Sequence, residues 1–411
     1  MGRTPPGRGR DRVLRRLSPG LPKVSGLTER TLARPSFEAA FAAPAFVRAM
    51  LAFESALAQA QADEGVIPAA SAAAIAAACE SVPVDVEALV AEGKRSATLA
   101  VPLVRLLTAE VVRGDPAPSK HVHFGATSQD VLDTAMALCL GACLDETDRA
   151  LEAAVRSLAR RAREHRATPM LGRTLLQPAV PITAGLKIAR WAMALAHDRE
   201  RISESRAAGL AVQLGGPVGA LEAFGPKGAA VRHRLALRLG LADVPSWQAH
   251  RNAWIDLHDR MGQAVLTIGK IARDVSLCAQ PEVGEMLEAP ARSGVGASTA
   301  MPHKRNPVGC AHGLAAAIAM PGLLATLHAA GIGEHERALG GWQAELALVP
   351  RIAGALGTSL DFLETIAASL VVNADRMKAN VAAHGESTPE NVQSLQPAID
   401  ELLAALAPYL S

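Results

Sequence analysis

The chain contains 411 residues, of which 49% are hydrophobic and 20% are charged. This composition is typical of a soluble globular protein and excludes a fibrous or largely disordered chain. The 42 basic and 40 acidic side chains leave a formal net charge of +2, which argues against nucleic acid and against an anionic membrane surface as partners. Aromatic residues make up only 3%, too few for platforms that stack bases or sugars.

The N-terminal segment 1–35 is rich in Arg, Pro and Gly and lacks the apolar stretch of a signal peptide. We expect a mostly disordered basic tail here, with a basic interaction arm as the alternative. No uninterrupted apolar run reaches the roughly 18 residues that a membrane helix needs, so we expect no membrane partner. The five cysteines form no CxxC pair, which argues against a disulfide framework or a zinc ribbon and favours the reducing cytoplasm.

From about Ser36 onward, apolar side chains repeat at intervals of three and four, and strand signals are scarce. The segments with this helical pattern are 44–63, 129–165, 182–206, 250–279, 307–330 and 342–372. Several exceed 25 residues, and helices of that length bury their apolar faces in a bundle, often across subunits.

These patterns predict an all-α fold built around an elongated central helical bundle. We place that bundle over 116–372, after a smaller N-terminal helical domain over 36–115 and before a short C-terminal helical segment over 373–411. The loop 113–120 marks the first of these boundaries.

One break in the helical pattern is the segment 121–130, HVHFGATSQD. Thr127 followed by Asp130 is typical of a capping box, and a helix start leaves free N–H groups that suit a carboxylate or phosphate. The alternative is a well-capped helix that binds no ligand. The side chains that would add donors to an anion site are His123, Thr127, Ser128 and Gln129.

A second break is the segment 294–307, GVGASTAMPHKRNP, whose small residues around Ser298 suit a lid. Asn306 is predicted as the N-cap and Pro307 as the first helical residue, so Lys304 and Asn306 would stand beside another helix start. A linker is the alternative. Weaker breaks are a Pro-punctuated loop at 177–181 that leads into a helix near Thr183, the glycine run 213–219, and the segment 334–337. No strand precedes the glycine run, which argues against a dinucleotide site.

Together these segments resemble the fumarase/aspartase superfamily, over roughly residues 36–380. The segment 297–307, ASTAMPHKRNP, is close to the superfamily signature GSSxMPxKxNP, and HxGxTSxD occurs at 123–130. The segments HFGATSQDVLDT, QLGGPVGAL and GEHERALG are most similar to the branch of bacterial cycloisomerases that act on 3-carboxy-cis,cis-muconate.

The resemblance implies a homotetramer whose core is built from the long helices of each subunit and whose active sites combine loops from three subunits. It implies a small polycarboxylate substrate, interconverted with a carboxymuconolactone in aromatic (protocatechuate) degradation, and no metal or organic cofactor. Ser298 matches the serine that exchanges the substrate proton. The residues that we expect to bind the substrate are His123, Thr127, Ser128, Gln129, Gln213, Arg251, Lys304, Asn306 and Arg337.

Two departures from the superfamily pattern bear on the reaction. Members commonly carry a His in the second loop that acts on the leaving group, paired with a Glu in the helix after the signature, whereas this chain has Pro178 and Ala311. Opening a lactone releases a carboxylate, whose acid has a pKa near ~4, so that step needs no proton donor. The departures therefore favour a cycloisomerase. Another lyase of the adenylosuccinate lyase type remains an alternative, as does an inactive helical scaffold, which the short C-terminal segment suggests.

Overall fold

The computed structural model describes residues 28–289, 296, 301, 304–384 and 393–410. It is predominantly helical, which confirms the predicted all-α class. The helices that precede the bundle are α1 Pro35–Ala40, α2 Ala43–Asp63, α3 Ala69–Ser81, α4 Val86–Ser96 and α5 Ala100–Gly114.

The central bundle is formed by long helices that match the predicted segments to within a few residues. Their bounds, with the shorter α8 among them, are α6 Ser128–Glu164, α7 Ala184–Gly209, α8 Gly228–Leu239, α9 Asn252–Cys278, α10 Val308–Ala330 and α11 Gly341–Ser369. The apolar stripes of the five long helices meet in one continuous core that includes Leu140, Leu195, Ile268 and Leu356, whereas the buried residues of α8 pack in a second cluster with α2. Because each stripe is covered by its neighbours, the bundle rather than helix propensity holds these helices in place.

The long helices run in two directions, which decides what lies at each end of the bundle. Arg251, the N-cap of α9, bonds Glu345 in the first turns of α11, so these two helices begin together. Trp342 likewise bonds Asp133 near the start of α6. α10 runs the opposite way. One end of the bundle therefore collects the starts of α6, α9 and α11, and the other end collects the start of α10.

Two small antiparallel sheets interrupt the helical pattern. β1 Pro169–Thr174 pairs with β2 Gln177–Thr183, and β3 Met286–Glu288 pairs with β4 Leu370–Val372. The predicted loop at 177–181 is therefore wrong, because a two-stranded sheet has free edges that tolerate prolines without N–H groups. The predicted helix start near Thr183 is confirmed, since Thr183 is the N-cap of α7 and accepts a hydrogen bond from the backbone N–H of Leu186. The chain continues with α12 Ala374–Ala383 and α13 Gln396–Ala405.

The tail that we predict over 1–35 does not include residues 28–35. Residues 28–35 are structured, and the Arg34 guanidinium forms ion pairs of 2.6, 2.8 and 2.9 Å with Glu146, Asp361 and Glu364. These three ion pairs to one Arg fix the chain against α6 and α11 before α1 begins. Residues 1–27 lie outside the described residues.

Two helices, α10 and α11, are long and apolar enough to cross a membrane by length and composition alone. Both pack beside α9 in the bundle, which explains the apolar character of α11, the more buried of the two. Only 22% of the apolar window of α10 is buried within a single chain. Its remaining apolar surface is therefore open in the isolated subunit.

Candidate active site

The start of α6 has the predicted capping box. Thr127 is the N-cap, and its backbone N–H donates to Asp130 Oδ2 over 2.9 Å while its side chain caps the first turn. Ser128 is the first helical residue. The prediction from spacing is confirmed because a capping box depends only on residues three apart in sequence.

Asp130 also joins the helix start to the glycine run. Its Oδ1 accepts from Gln213 Nε2 at 2.9 Å and from Gly215 N at 3.0 Å, and its Oδ2 accepts from Gly216 N at 3.0 Å. Burial raises the pKa of Asp130 to about 6, against the opposing effect of these hydrogen bonds. The glycine run thus serves to wrap a buried carboxylate.

A third segment, 331–340, closes over the same helix start. Gln248 Nε2 donates to the carbonyl of Glu336 at 2.9 Å, and Arg337 Nη2 donates to Thr127 Oγ1 at 2.7 Å and to the carbonyl of Pro217 at 3.0 Å. Within the described ranges, no carboxylate pairs with Arg337. Its charge is therefore available to an anion at the start of α6.

Three further predicted binders are buried at this end of the bundle: Arg251, Gln129 and Gln213. The Arg251 guanidinium bonds both oxygens of Asp133 at 2.6 and 3.2 Å and both oxygens of Glu345 at 3.2 and 2.5 Å. Gln129 Nε2 donates to Asp133 as well. Arg251 holds the starts of α6, α9 and α11 together, whereas Gln129 and Gln213 bond the segment 246–248 that precedes α9.

His123 lies on the loop before α6, next to a carboxylate that sequence reasoning missed. Its Nδ1 is 2.7 Å from Glu54 Oε1 on α2. Burial opposes the charged imidazole, but the charge and hydrogen bond of Glu54, with a smaller effect of Asp130, outweigh it and raise the pKa of His123. The sequence did carry a signal, because Glu54 interrupts the apolar stripe of α2 between Met50 and Leu57.

Lys304 and Asn306 lie at the other end of the bundle, near the start of α10. The predicted N-cap at Asn306 is wrong: α10 begins at Val308, and the Asn306 N–H donates to the carbonyl of Gly296 at 2.8 Å. The Glu288 carboxylate accepts the N–H groups of Gly309 and Cys310 at 3.0 Å each. This helix start therefore already holds a carboxylate from its own chain.

One chain does not bring the two groups of predicted residues together. α9 connects the end with Arg251 to the end with Lys304, and its 27 residues span about 40 Å at 1.5 Å per residue. One end of the bundle carries Lys304 and Asn306. The other end carries His123, Thr127, Ser128, Gln129, Gln213, Arg251 and Arg337. Ser298 lies outside the described residues.

Fold and site together define a class: an all-α bundle protein whose polar and cationic side chains collect at helix starts, which in general favour anions. Comparison with known proteins then gives the family. Residues 28–322 match the lyase family, and the chain belongs to this family, the fumarase/aspartase lyases.

The curated relatives include a 3-carboxy-cis,cis-muconate cycloisomerase of Bradyrhizobium diazoefficiens, 45% identical over 339 residues that cover 82% of this chain and 75% of the relative. A nitrosuccinate lyase of Streptomyces davaonensis is 40% identical over 386 residues, covering 90% and 80%. Among solved structures, the 3-carboxy-cis,cis-muconate lactonizing enzyme from Pseudomonas putida matches with a TM-score of 0.81 and 34% identity, covering 93% of this chain and 88% of that one.

Proposed function

We propose that the chain is a cycloisomerase that interconverts 3-carboxy-cis,cis-muconate and a carboxymuconolactone in aromatic degradation. The observation that carries this proposal is the 45% identity, over 82% of the chain, to a relative of that name. The structure of a lactonizing enzyme for the same compound, which aligns with 93% of the chain, supports it independently of local motifs.

The chemistry of the leaving group supports the same reaction. Pro178 lies in β2 and Ala311 in the first turn of α10, so neither position supplies the histidine and glutamate that act on poor leaving groups elsewhere in the superfamily. In lactone formation, a substrate carboxylate adds to a carbon–carbon double bond and the neighbouring carbon takes up one proton. In the reverse direction the carboxylate leaves without needing a proton donor.

Ser298 carries that single proton in our proposal. Its hydroxyl donates to the carbon next to a substrate carboxylate during ring closure, and the resulting alkoxide takes the proton back during ring opening. A serine alkoxide is reached only with positive potential nearby, and Lys304 in the same signature segment supplies a charge for this. His123, Thr127, Ser128 and Arg337 bind the carboxylates of the substrate, with Asn306 at the signature segment.

The separation of the two groups of residues supports a homotetramer with shared sites. Because α9 keeps Arg337 and Lys304 at opposite ends of one chain, a complete site requires residues from further copies. The exposed apolar face of α10, where the Ile318 side chain is 72% exposed, is suited to pack against those copies. The five cysteines are all free, which supports the cytoplasm as the compartment.

The test is an ultraviolet assay with purified protein and 3-carboxy-cis,cis-muconate. The absorbance of the conjugated diene is expected to fall as the lactone forms. Ser298→Ala is expected to lower kcat by about 10²- to 10⁴-fold, the contribution of a positioned proton carrier. Ser276→Ala, at a partly exposed residue near the end of α9, is the matched control and should leave kcat unchanged.

Two results would contradict the proposal. An unchanged absorbance with a correctly assembled protein would exclude this activity and favour the scaffold alternative. Turnover of the diene at the normal rate by Ser298→Ala would remove the proton assignment while leaving the reaction itself in place.

A second candidate is elimination from nitrosuccinate, favoured by the 40% identity over 90% of the chain to a nitrosuccinate lyase. This reaction also expels the anion of an acid, so the absence of a leaving-group donor at Pro178 and Ala311 suits both. Parallel assays separate them: nitrite release from nitrosuccinate without loss of carboxymuconate absorbance would replace the first candidate by the second. Adenylosuccinate, tested in the same series, is expected to remain unchanged.

A further inference from the structure

The buried carboxylate of Glu54 needs a specific partner. Its side chain is 1% exposed and lies on the apolar stripe of α2, among residues such as Met50, Phe53 and Leu57. A carboxylate in such surroundings is strongly destabilising unless it is hydrogen-bonded or paired with a charge. The partner that the structure provides is the imidazole of His123, 69 residues further along the chain.

The loop that carries His123 is fixed by contacts that do not involve this pair. Gln61 Nε2, two turns along α2 from Glu54, donates to the carbonyl of Phe124 at 2.7 Å. The Phe124 ring packs edge-on against Phe224 with 6.3 Å between ring centroids. Gly125 has φ +71° and lies so close to the Phe224 ring that a Cβ there would come within 2.5 Å. The hydrogen bond of Gln61 and the packing of Phe124 and Gly125 therefore hold the loop in the position that places His123 beside Glu54.

The hydrogen bond has a defined direction. An ionised carboxylate only accepts, so the Nδ1–H of His123 donates to Glu54 Oε1, and the distance of 2.7 Å is that of a charge-assisted bond. Glu54 Oε2 has no hydrogen-bond partner in the described residues, so no other donor shares this charge. The His123 side chain remains 18% exposed, and Nε2, on the far side of the ring, bonds no described residue.

We propose that Glu54 is a positioning residue of this site: it holds the His123 ring through Nδ1 and thereby keeps Nε2–H as a charged donor for a carboxylate of the substrate. The inference rests on the proposed function for the identity of the ligand as a polycarboxylate. It assigns to α2, in the predicted N-terminal helical domain, a part in substrate binding that the sequence pattern did not indicate.

The charges around the pair agree with this role. The pKa of His123 lies above its usual value because the effect of Glu54, with that of Asp130 at the start of α6, exceeds the cost of burial. Cys79 on α3 is a further titratable group close to Glu54, and burial raises the pKa of its thiol to about 12, so it stays neutral. His121 bonds Ser71 at 3.0 Å instead, and burial and Lys120 lower its pKa.

The experiment follows the titration of His123 by NMR in ¹³C-labelled protein without substrate, with the signal assigned by its absence in His123→Gln. The midpoint in the unmodified protein is expected above the ordinary value of about 6.5. Glu54→Gln keeps an oxygen that can accept from Nδ1 but removes the charge, and is expected to lower the midpoint by roughly 1 to 2 units.

The matched control is Gln61→Ala, which removes a neutral anchor of the same loop. It is expected to leave the His123 midpoint where it is. In the activity assay, Glu54→Gln should move the alkaline limb of the kcat/KM profile to lower pH by the same amount as the NMR midpoint, mainly through a higher KM, whereas Gln61→Ala should not move this limb. A purely structural pair would change activity equally at every pH.

The outcomes separate this inference from the proposed function. A midpoint below about 6.5 in the unmodified protein, or an unshifted midpoint in Glu54→Gln, overturns the inference even if carboxymuconate is turned over. A shifted midpoint in a protein that does not act on carboxymuconate retains the pair and rejects only the reaction. If Glu54→Gln does not fold, Glu54→Asp, which keeps the charge, is expected to retain a raised midpoint, and a normal midpoint there counts against the inference.

Discussion

At the scale of single residues, the buried His258 is a histidine that the fold keeps uncharged beneath the polar end of the bundle. It is fully buried on α9, its Nδ1 lies 2.7 Å from the carbonyl of Trp254, and its Nε2 has no hydrogen-bond partner in the described residues. Burial lowers the pKa of His258 to about 4, with a smaller opposing effect of the Trp254 carbonyl. The carbonyl accepts a hydrogen bond from Nδ1–H. Because its pKa lies near 4, the ring is neutral in the folded protein at pH 7.

This arrangement makes stability depend on pH. In the unfolded chain a histidine takes up a proton near pH 6.5, whereas folded His258 does so only near pH 4, so its contribution is present above pH 6.5 and is lost as pH falls towards 4. Between pH 7 and pH 5 this amounts to about 2 kcal/mol. His258→Leu is expected to reduce the pH 7 to pH 5 difference in the free energy of unfolding by that amount, measured by denaturant titration.

The exposed His384 provides a control for that measurement. His384→Leu should retain the difference between the two pH values, because the side chain keeps contact with water in both states. An equal difference in the unmodified protein and in His258→Leu would mean that His258 is protonated in the fold as readily as in the unfolded chain.

The residues of the site were predictable to the extent that their contacts are local. Thr127 and Asp130 are three apart, so spacing alone indicated the capping box. Arg251 lies 118 residues from Asp133 and 94 from Glu345. A single sequence does not indicate which distant acidic residue pairs with which basic residue, so these ion pairs could not be predicted. Sequence matches therefore pointed to Arg251 as a binder, while its burial between two carboxylates became visible only in the fold.

At the scale of secondary-structure elements, Glu288 connects β3, which precedes the segment 294–307, to α10, which follows it. It ends β3, and its carboxylate accepts two N–H groups in the first turn of α10. Such a carboxylate satisfies donors that the helix itself leaves open and interacts favourably with the helix dipole. The prediction of Asn306 as N-cap failed because the capping group comes from a residue more than a dozen positions earlier in the chain.

Removing this carboxylate should loosen the base of the signature segment. Glu288→Ala is expected to lower the free energy of unfolding by about 1 to 2 kcal/mol, the cost of a lost N-terminal cap, and to lower the melting temperature in calorimetry. Glu282→Ala, in the exposed turn before β3, is the control and should leave the melting temperature unchanged. Equal melting temperatures for both variants would show that another group caps α10.

The same scale explains the error at residues 177–181. Prolines in a short segment indicate a loop when only that segment is considered. The partner strand β1 lies just before it, and pairing through a turn at Leu175 and Leu176, with φ of 51° and 62°, is a property of both strands together. Helices were predictable because their periodicity is local, and this hairpin was not because its pairing depends on an uncommon turn.

At the scale of the whole molecule, the apolar face of α10 is largely uncovered in a single chain. Ile318→Glu is expected to break the proposed homotetramer, because a charge at the centre of that face would be buried without a partner. Light scattering after gel filtration measures the mass. Leu237→Glu, at a residue that is 64% exposed on α8, is the matched control and should leave the mass unchanged. A tetramer that persists in Ile318→Glu would move the interface elsewhere.

The distance of about 40 Å along α9 has a consequence for the amount of enzyme in a cell. If each reaction centre is completed by neighbouring copies, a newly made chain carries two incomplete halves and is inert on its own. The reaction rate then follows the concentration of assembled oligomers. When the chain concentration is low, the rate therefore rises more steeply than the chain concentration. A modest rise in synthesis would therefore switch the reaction on within a narrow range of abundance.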